Sequence, residues 1–150
     1  MGHYRIVLRD VTDNELRVGA ARIPVYLPFL QGKKVAVCAN HTALVGGTHL
    51  VDTLHRLGVD LVKIFAPEHG FRGEAEAGAT VSNGVDSRTG IPIVSLYGKH
   101  KKPTAEDLKG VEIVVFDIQD VGARFYTYIS TLHYLMEAAA ENNVKVLVLD

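Results

Sequence analysis

Val35-Ala36-Val37-Cys38-Ala39, followed at once by Asn40-His41-Thr42, is the stretch that decides the fold. Five apolar residues stand in a row, β-favouring in character and closed by polar ones. A strand without polar alternation is buried on both faces, which marks a parallel sheet covered by helices. Downstream, Leu50, Val51, Leu54 and Leu57 fall at helical spacing, so residues 48–57 are expected as a helix with Thr48 as N-cap and Gly58 just past its end. Further strands are predicted at 61–65, 93–96, 112–116 and 144–149, the last after a helix over 125–142 whose face is read as Phe125, Ile129, Leu132, Met136 and Ala139. Thr104 is read as the cap of a short helix. Strand–helix alternation of this kind gives an α/β fold, a Rossmann-like doubly wound sheet of about five mostly parallel strands with helices on both faces. Residues 1–34 form an arm and a short helix around 24–30. Residues 35–150 form the α/β domain. The chain stops directly after a strand, so it is expected to be the first part of a longer protein.

The chain has 150 residues, 47% of them hydrophobic and 22% charged, which suits one globular domain. Sixteen Lys and Arg against seventeen Asp and Glu exclude the basic balance of a nucleic-acid binder. No apolar run approaches the ~20 residues that span a bilayer. One cysteine, Cys38, excludes an internal disulfide framework and a Cys-rich zinc site, and within a strand it reads as core.

In an open α/β sheet, ligands bind beyond the carboxyl ends of the strands. Polar residues collect there: Asn40 and His41 after the first strand, Pro67-Glu68-His69-Gly70-Phe71-Arg72-Gly73 after the second, Tyr97 after the third, and Asp117-Ile118-Gln119-Asp120 with Arg124 and Tyr126 after the fourth. The expected strands are almost free of charge, with Lys63 the exception in the middle of one. Glu68 sits in a turn bounded by Pro and Gly, where partial burial favours the protonated form of a carboxyl and suits a proton donor. A plain surface glutamate is the other reading. Asp117 and Asp120 add two more carboxyls at a strand end, although Asp120 is equally a helix cap. His41 and His69 lack metal-ligand spacing, so no metal is expected, and hydrogen bonding to a polar ligand suits them better. His49, His55 and His133 read as surface or packing residues. No Gly-x-Gly-x-x-Gly, Walker-type Gly-Lys-Ser/Thr or Gly-x-Ser-x-Gly motif occurs, which leaves neither a nucleotide cradle nor a nucleophile elbow. The connection over 66–92, with five glycines, is long enough to be functional.

Four stretches together carry a resemblance. Pro67-Glu68-His69-Gly70-Phe71-Arg72-Gly73, Ser95-Leu96-Tyr97-Gly98 with Lys102-Pro103-Thr104, Phe116-Asp117-Ile118-Gln119-Asp120-Val121-Gly122, and Arg124-Phe125-Tyr126-Thr127-Tyr128 resemble the bacterial exo-β-N-acetylmuramidases, formerly a domain of unknown function. The similarity runs from about Val18 to Asp150. It implies a glycoside hydrolase releasing N-acetylmuramic acid from non-reducing ends of peptidoglycan fragments, with Glu68 as the favoured catalytic residue. Glu76 and Asp120 are candidates for the second carboxyl that such chemistry needs. Asn40, His41, His69, Asp117 and Gln119 become substrate-binding candidates. Arg72 and Arg124 suit bidentate contact with the lactyl carboxylate of muramic acid, and Tyr97, Tyr126 or Tyr128 suit stacking on a sugar ring. No cofactor is implied. The expected partner is a peptidoglycan-derived glycan, with the C-terminal domain completing the cleft. A periplasmic or extracellular setting follows by resemblance, although residues 1–5 show no signal-peptide pattern and are compatible with a cytoplasmic one. The alternative is a non-catalytic sugar-binding module of the same fold.

Overall fold

The computed structural model describes residues 16–68, 70–72, 83–123 and 126–149. Its central sheet has six strands: β1 (Lys34–Ala39), β4 (Asp60–Ala66), β5 (Gly84–Val85), β6 (Pro92–Ser95), β7 (Ile113–Asp117) and β8 (Lys145–Val148). A two-stranded hairpin, β2 (Leu44–Val45) with β3 (Thr48–His49), stands apart from it. The helices are α1 (Ile23–Leu30), α2 (Leu50–Arg56) and α3 (Tyr128–Glu141).

The sheet order is β5-β6-β4-β1-β7-β8, and every neighbouring pair is parallel except β5 with β6. The five parallel strands therefore run 3-2-1-4-5 in their own chain order, the doubly wound arrangement in which a crevice opens beyond the carboxyl ends of the first and fourth. Here those strands are β1 and β7, with Ala39 paired to Asp117. The sixth strand, β5, lies inside the long 66–92 connection and extends the sheet at one edge.

Alternation along the strands divides the core in two. Val35, Val37, Ala39, Ile64, Ala66, Ile113 and Val115 face one side, where Tyr26 and Leu30 of α1 and Leu50, Val51 and Leu54 of α2 cover them. Ala36, Cys38, Phe65, Val114 and Phe116 face the other, under Leu135, Ala138 and Ala139 of α3 and the segment carrying Leu108 and Val111. Each large side chain buried this way contributes about 1.5–3 kcal/mol. Burial also pushes the Cys38 thiol up to about 12, so the cysteine is a packing residue. Lys63 resolves its position by donating to the Asp107 carbonyl.

Three local expectations change. Residues 104–111 form successive turns rather than a regular helix; the Asp107 amide donates to Thr104 Oγ1 at 3.2 Å and the Thr104 amide to Asp107 Oδ2 at 2.9 Å, a reciprocal cap on a turn that does not propagate. The cap of α2 is His49, not Thr48, because Thr48 pairs with Val45 in the hairpin. On α3 the buried residues are Thr131, Leu135, Ala138 and Ala139, while Ile129 and Met136 are 60% and 50% exposed. The helix is turned from the face expected, since a pattern containing both apolar sets does not say which one meets the sheet. Among the described residues, no helix is long and apolar enough to cross a membrane, and no group of three or more His, Cys, Asp or Glu side chains could hold a metal.

Candidate functional site

Parallel strands end together, so Asn40, Glu68, Tyr97 and Asp117 follow strands that share one edge of the sheet. Cys38 pairs with Phe65 on one side and Phe116 on the other, which separates the β4 and β7 ends by two strand spacings, roughly 10 Å. Beyond this edge a cavity of about 150 Å³ opens between the ends of β4 and β6 and the start of α3. Glu68, half-buried, lines it with Leu96, Tyr97 and Lys101. Thr127, Ser130, Thr131 and Tyr134 form the opposite wall. These four stand at positions i, i+3, i+4 and i+7, so a single helical stripe delivers three hydroxyls and a phenol to the cavity. Sequence reasoning missed them by following the apolar stripe; the polar stripe at the same period was the available signal.

The loop that carries Glu68 is held from both ends of its exit. His49 Nδ1 accepts from the Val51 amide at 3.1 Å. The ring proton therefore resides on Nε2, which meets the carbonyl oxygens of Asn40 at 2.9 Å and Phe71 at 3.1 Å. This arrangement needs a neutral imidazole. Burial, aided by the charge of Arg72, lowers the His49 pKa against the opposing pull of the two carbonyls and Asp52. His49 is thus a buried latch between α2 and the loop, not a surface residue.

Arg72 completes the hold. Its Nη1 and Nη2 bind Asp52 at 2.9 and 2.8 Å, and its Nε and Nη2 bind Asp86 at 2.8 Å each. The guanidinium also lies 4.7 Å from the centre of the Phe71 ring. The hydrogen bonds and charges of both carboxylates raise its pKa further above the usual arginine range. Asp52 is held low chiefly by its hydrogen bonds from Arg72. Burial works to raise Asp86, but hydrogen bonds from Arg72 and Thr89 outweigh it and hold that carboxyl well below the usual range. Arg72 was expected to bind a substrate carboxylate. Its side chain instead ties the loop to α2 and to the 86–91 turn, because two carboxylates of this chain already occupy it.

The remaining candidates divide. Asn40 is 2% exposed, and its Oδ1 accepts from Thr42 N at 3.0 Å and Thr42 Oγ1 at 2.6 Å, so it shapes its own turn. His41 beside it is exposed. Asp117 shares the parity of Ile113 and Val115 and so lies on the α1 face, where its charge, after burial, helps push the Tyr26 phenol up to about 12. The Glu68 cavity opens instead beside α3. Gln119 and Asp120 are exposed, and Asp120 Oδ2 accepts from the Gly122 amide at 3.2 Å. Tyr126 is 45% exposed, with its ring 6.1 Å from that of Tyr128. The cavity therefore unites Glu68 with Tyr97. His69, Glu76 and Arg124 lie outside the described residues.

Strand order and a hydroxyl-rich cavity at the carboxyl edge of the sheet define a doubly wound α/β domain with a candidate polar site. The family model described as the exo-β-N-acetylmuramidase NamZ N-terminal region matches residues 35–150, and the chain belongs to that family. It is 49% identical over 133 residues to the peptidoglycan β-N-acetylmuramidase NamZ of Bacillus subtilis, covering 85% of this chain and 31% of that protein. Two crystal structures of DUF1343 family proteins from Bacteroides fragilis superpose with TM-scores of 0.80 and 0.76 at 43% and 44% identity, each covering 89% of this chain and 34% of the other. The chain spans about a third of the length of these relatives.

Proposed function

We propose that this chain forms part of a glycoside hydrolase acting on peptidoglycan, releasing N-acetylmuramic acid from non-reducing ends, with Glu68 as the general acid. The observation that carries this reading is the position of Glu68: a half-buried carboxyl in a cavity otherwise lined by two tyrosines, three hydroxyl residues, one leucine and one lysine. Hydroxyls meet sugar hydroxyls, and a tyrosine face meets the apolar face of a pyranose. The name of the Bacillus subtilis relative supports the same chemistry.

Glycoside hydrolysis needs a second carboxyl, about 5 Å away for retention or roughly 6.5–9.5 Å for inversion. Asp120 and Glu76 are our candidates from this chain. The cavity, at about 150 Å³, is also smaller than the roughly 300–1,000 Å³ usual for ligand pockets. This favours a cleft completed by a further part of the protein, as the greater length of the relatives allows; a site of action in the periplasm or outside the cell is proposed from the peptidoglycan substrate alone. Glu68 is the one carboxyl among the described residues that line the cavity. That observation favours a second reading, a sugar-binding wall without turnover of its own.

Glu68→Gln decides between acid catalysis and binding. It keeps the shape of the side chain and removes the transferable proton, so cleavage of a muramoyl-terminated disaccharide should fall about 10²- to 10⁴-fold. The loss should shrink for a nitrophenyl muramide, whose leaving group departs without protonation. Cleavage of the disaccharide at the parent rate would remove Glu68 from the acid role. Saturable binding by the parent without turnover would establish the second reading.

A further inference from the structure

The cavity that holds Glu68 also carries a cation, Lys101, to which neither the resemblance nor the relatives give a role. Its neighbour Lys102 is engaged elsewhere, with Nζ 3.3 Å from Glu137 and 2.9 Å from Glu141 of α3. Those exposed pairs join the segment after Gly98 to the surface of the helix. Lys101 itself is exposed and makes no ion pair among the described residues, which leaves its charge for a ligand that reaches this lining.

Lys101 is the one cationic residue on the described lining, so it is the group there that attracts an anionic ligand. We infer that Lys101 is the binding point for a carboxylate borne by the sugar in this cavity, the lactyl group that distinguishes muramic acid from N-acetylglucosamine. The inference rests on the sugar reading proposed above. Arg72, the competing cation among the described residues of that loop, has its donors on Asp52 and Asp86 and could not turn to a ligand without giving up its pairing with the buried Asp86. Lysine also suits the task. It presents a compact charge with three rotatable donors, which can follow a carboxylate on a flexible ether arm. Thr127 and Ser130 are then left for the ring hydroxyls, and Tyr97 for the ring face.

The test compares three probes by calorimetry or ligand-observed NMR: N-acetylmuramic acid, its lactyl methyl ester and N-acetylglucosamine. The ester removes the charge of the arm and adds only one methyl group. A charge-assisted contact in a partly open site is expected to favour the acid over the ester about tenfold in the parent protein, a preference that should weaken as salt is raised. Lys101→Met should bring that ratio close to one, and Lys101→Arg should restore most of it. A full acid-over-ester preference in Lys101→Met overturns the assignment while leaving the sugar reading intact. If the parent binds none of the three, the sugar reading and the assignment fall together. Circular dichroism of each variant separates a lost contact from a lost fold, and a folded Lys101→Arg that fails to discriminate counts against the assignment.

Discussion

Asp86→Asn should destabilise the protein by about 2–4 kcal/mol although it exchanges one atom. The Asp86 side chain is 2% exposed. Its Oδ1 accepts from Arg72 Nε at 2.8 Å. Its Oδ2 accepts from Arg72 Nη2 at 2.8 Å, from the Thr89 amide at 3.0 Å and from Thr89 Oγ1 at 2.5 Å. Asparagine has one acceptor oxygen and an amide that only donates, so either orientation sets an N–H against an N–H of Arg72. A hydrogen bond to a charged group is worth about 1.5–3 kcal/mol, and the donor–donor contact adds to its loss. Asp52 remains on the guanidinium, which keeps the effect below the worst case of a wholly orphaned buried charge, about 3–5 kcal/mol. At roughly 2–4 °C per kcal/mol for a chain of this size, Tm should fall by roughly 5–15 °C. Urea and thermal unfolding at pH 7 measure both quantities. The same variant reports on acid stability. Asp52 and Asp86 both have folded-state values below the ordinary aspartate one, so their contribution is present above about pH 4 and is lost as the pH falls through those lower values. The stability gap between parent and Asp86→Asn should therefore narrow below about pH 4. A variant within about 0.5 kcal/mol of the parent at pH 7, or a gap that stays constant down to pH 2, would refute the view that this cluster holds the Glu68 loop in place.

Two further substitutions probe the packing. Leu135→Ala, at a fully buried position of α3, should cost about 2–5 kcal/mol, whereas Met136→Ala, at a half-exposed one, should fall within about 1 kcal/mol of the parent; equal costs in denaturant unfolding would mean that the helix face is assigned wrongly. Gly19→Ala should destabilise by about 1–3 kcal/mol, because the added Cβ would lie 1.4 Å from the Leu149 carbonyl oxygen and the turn before α1 would have to move away from the end of β8; an unchanged unfolding midpoint would contradict that close approach.

The strands were legible from the residues because burial on both faces leaves a local trace. Runs such as 35–39 and 113–116 have no polar interruption, and the five parallel strands start and end within one or two residues of the expected ones, whereas the short strands β2, β3 and β5 were not expected. The parallel edge followed, and with it the place to look for Glu68 and Tyr97. What the polar residues do at that edge was decided by partners distant in sequence. Arg72 is a fixed strut because Asp52 and Asp86, 20 and 14 residues away, meet it in space. His49 caps α2 and latches the loop because the hairpin ends one residue before the helix begins. Which stripe of α3 faces the sheet, and which opens on a cavity, was settled by the rotation at which the helix packs. Hydrophobic period is written in neighbouring residues and needs no tertiary structure to be read. A charge pairs with whatever the fold brings within about 4 Å, and that distance exists only once the chain has folded.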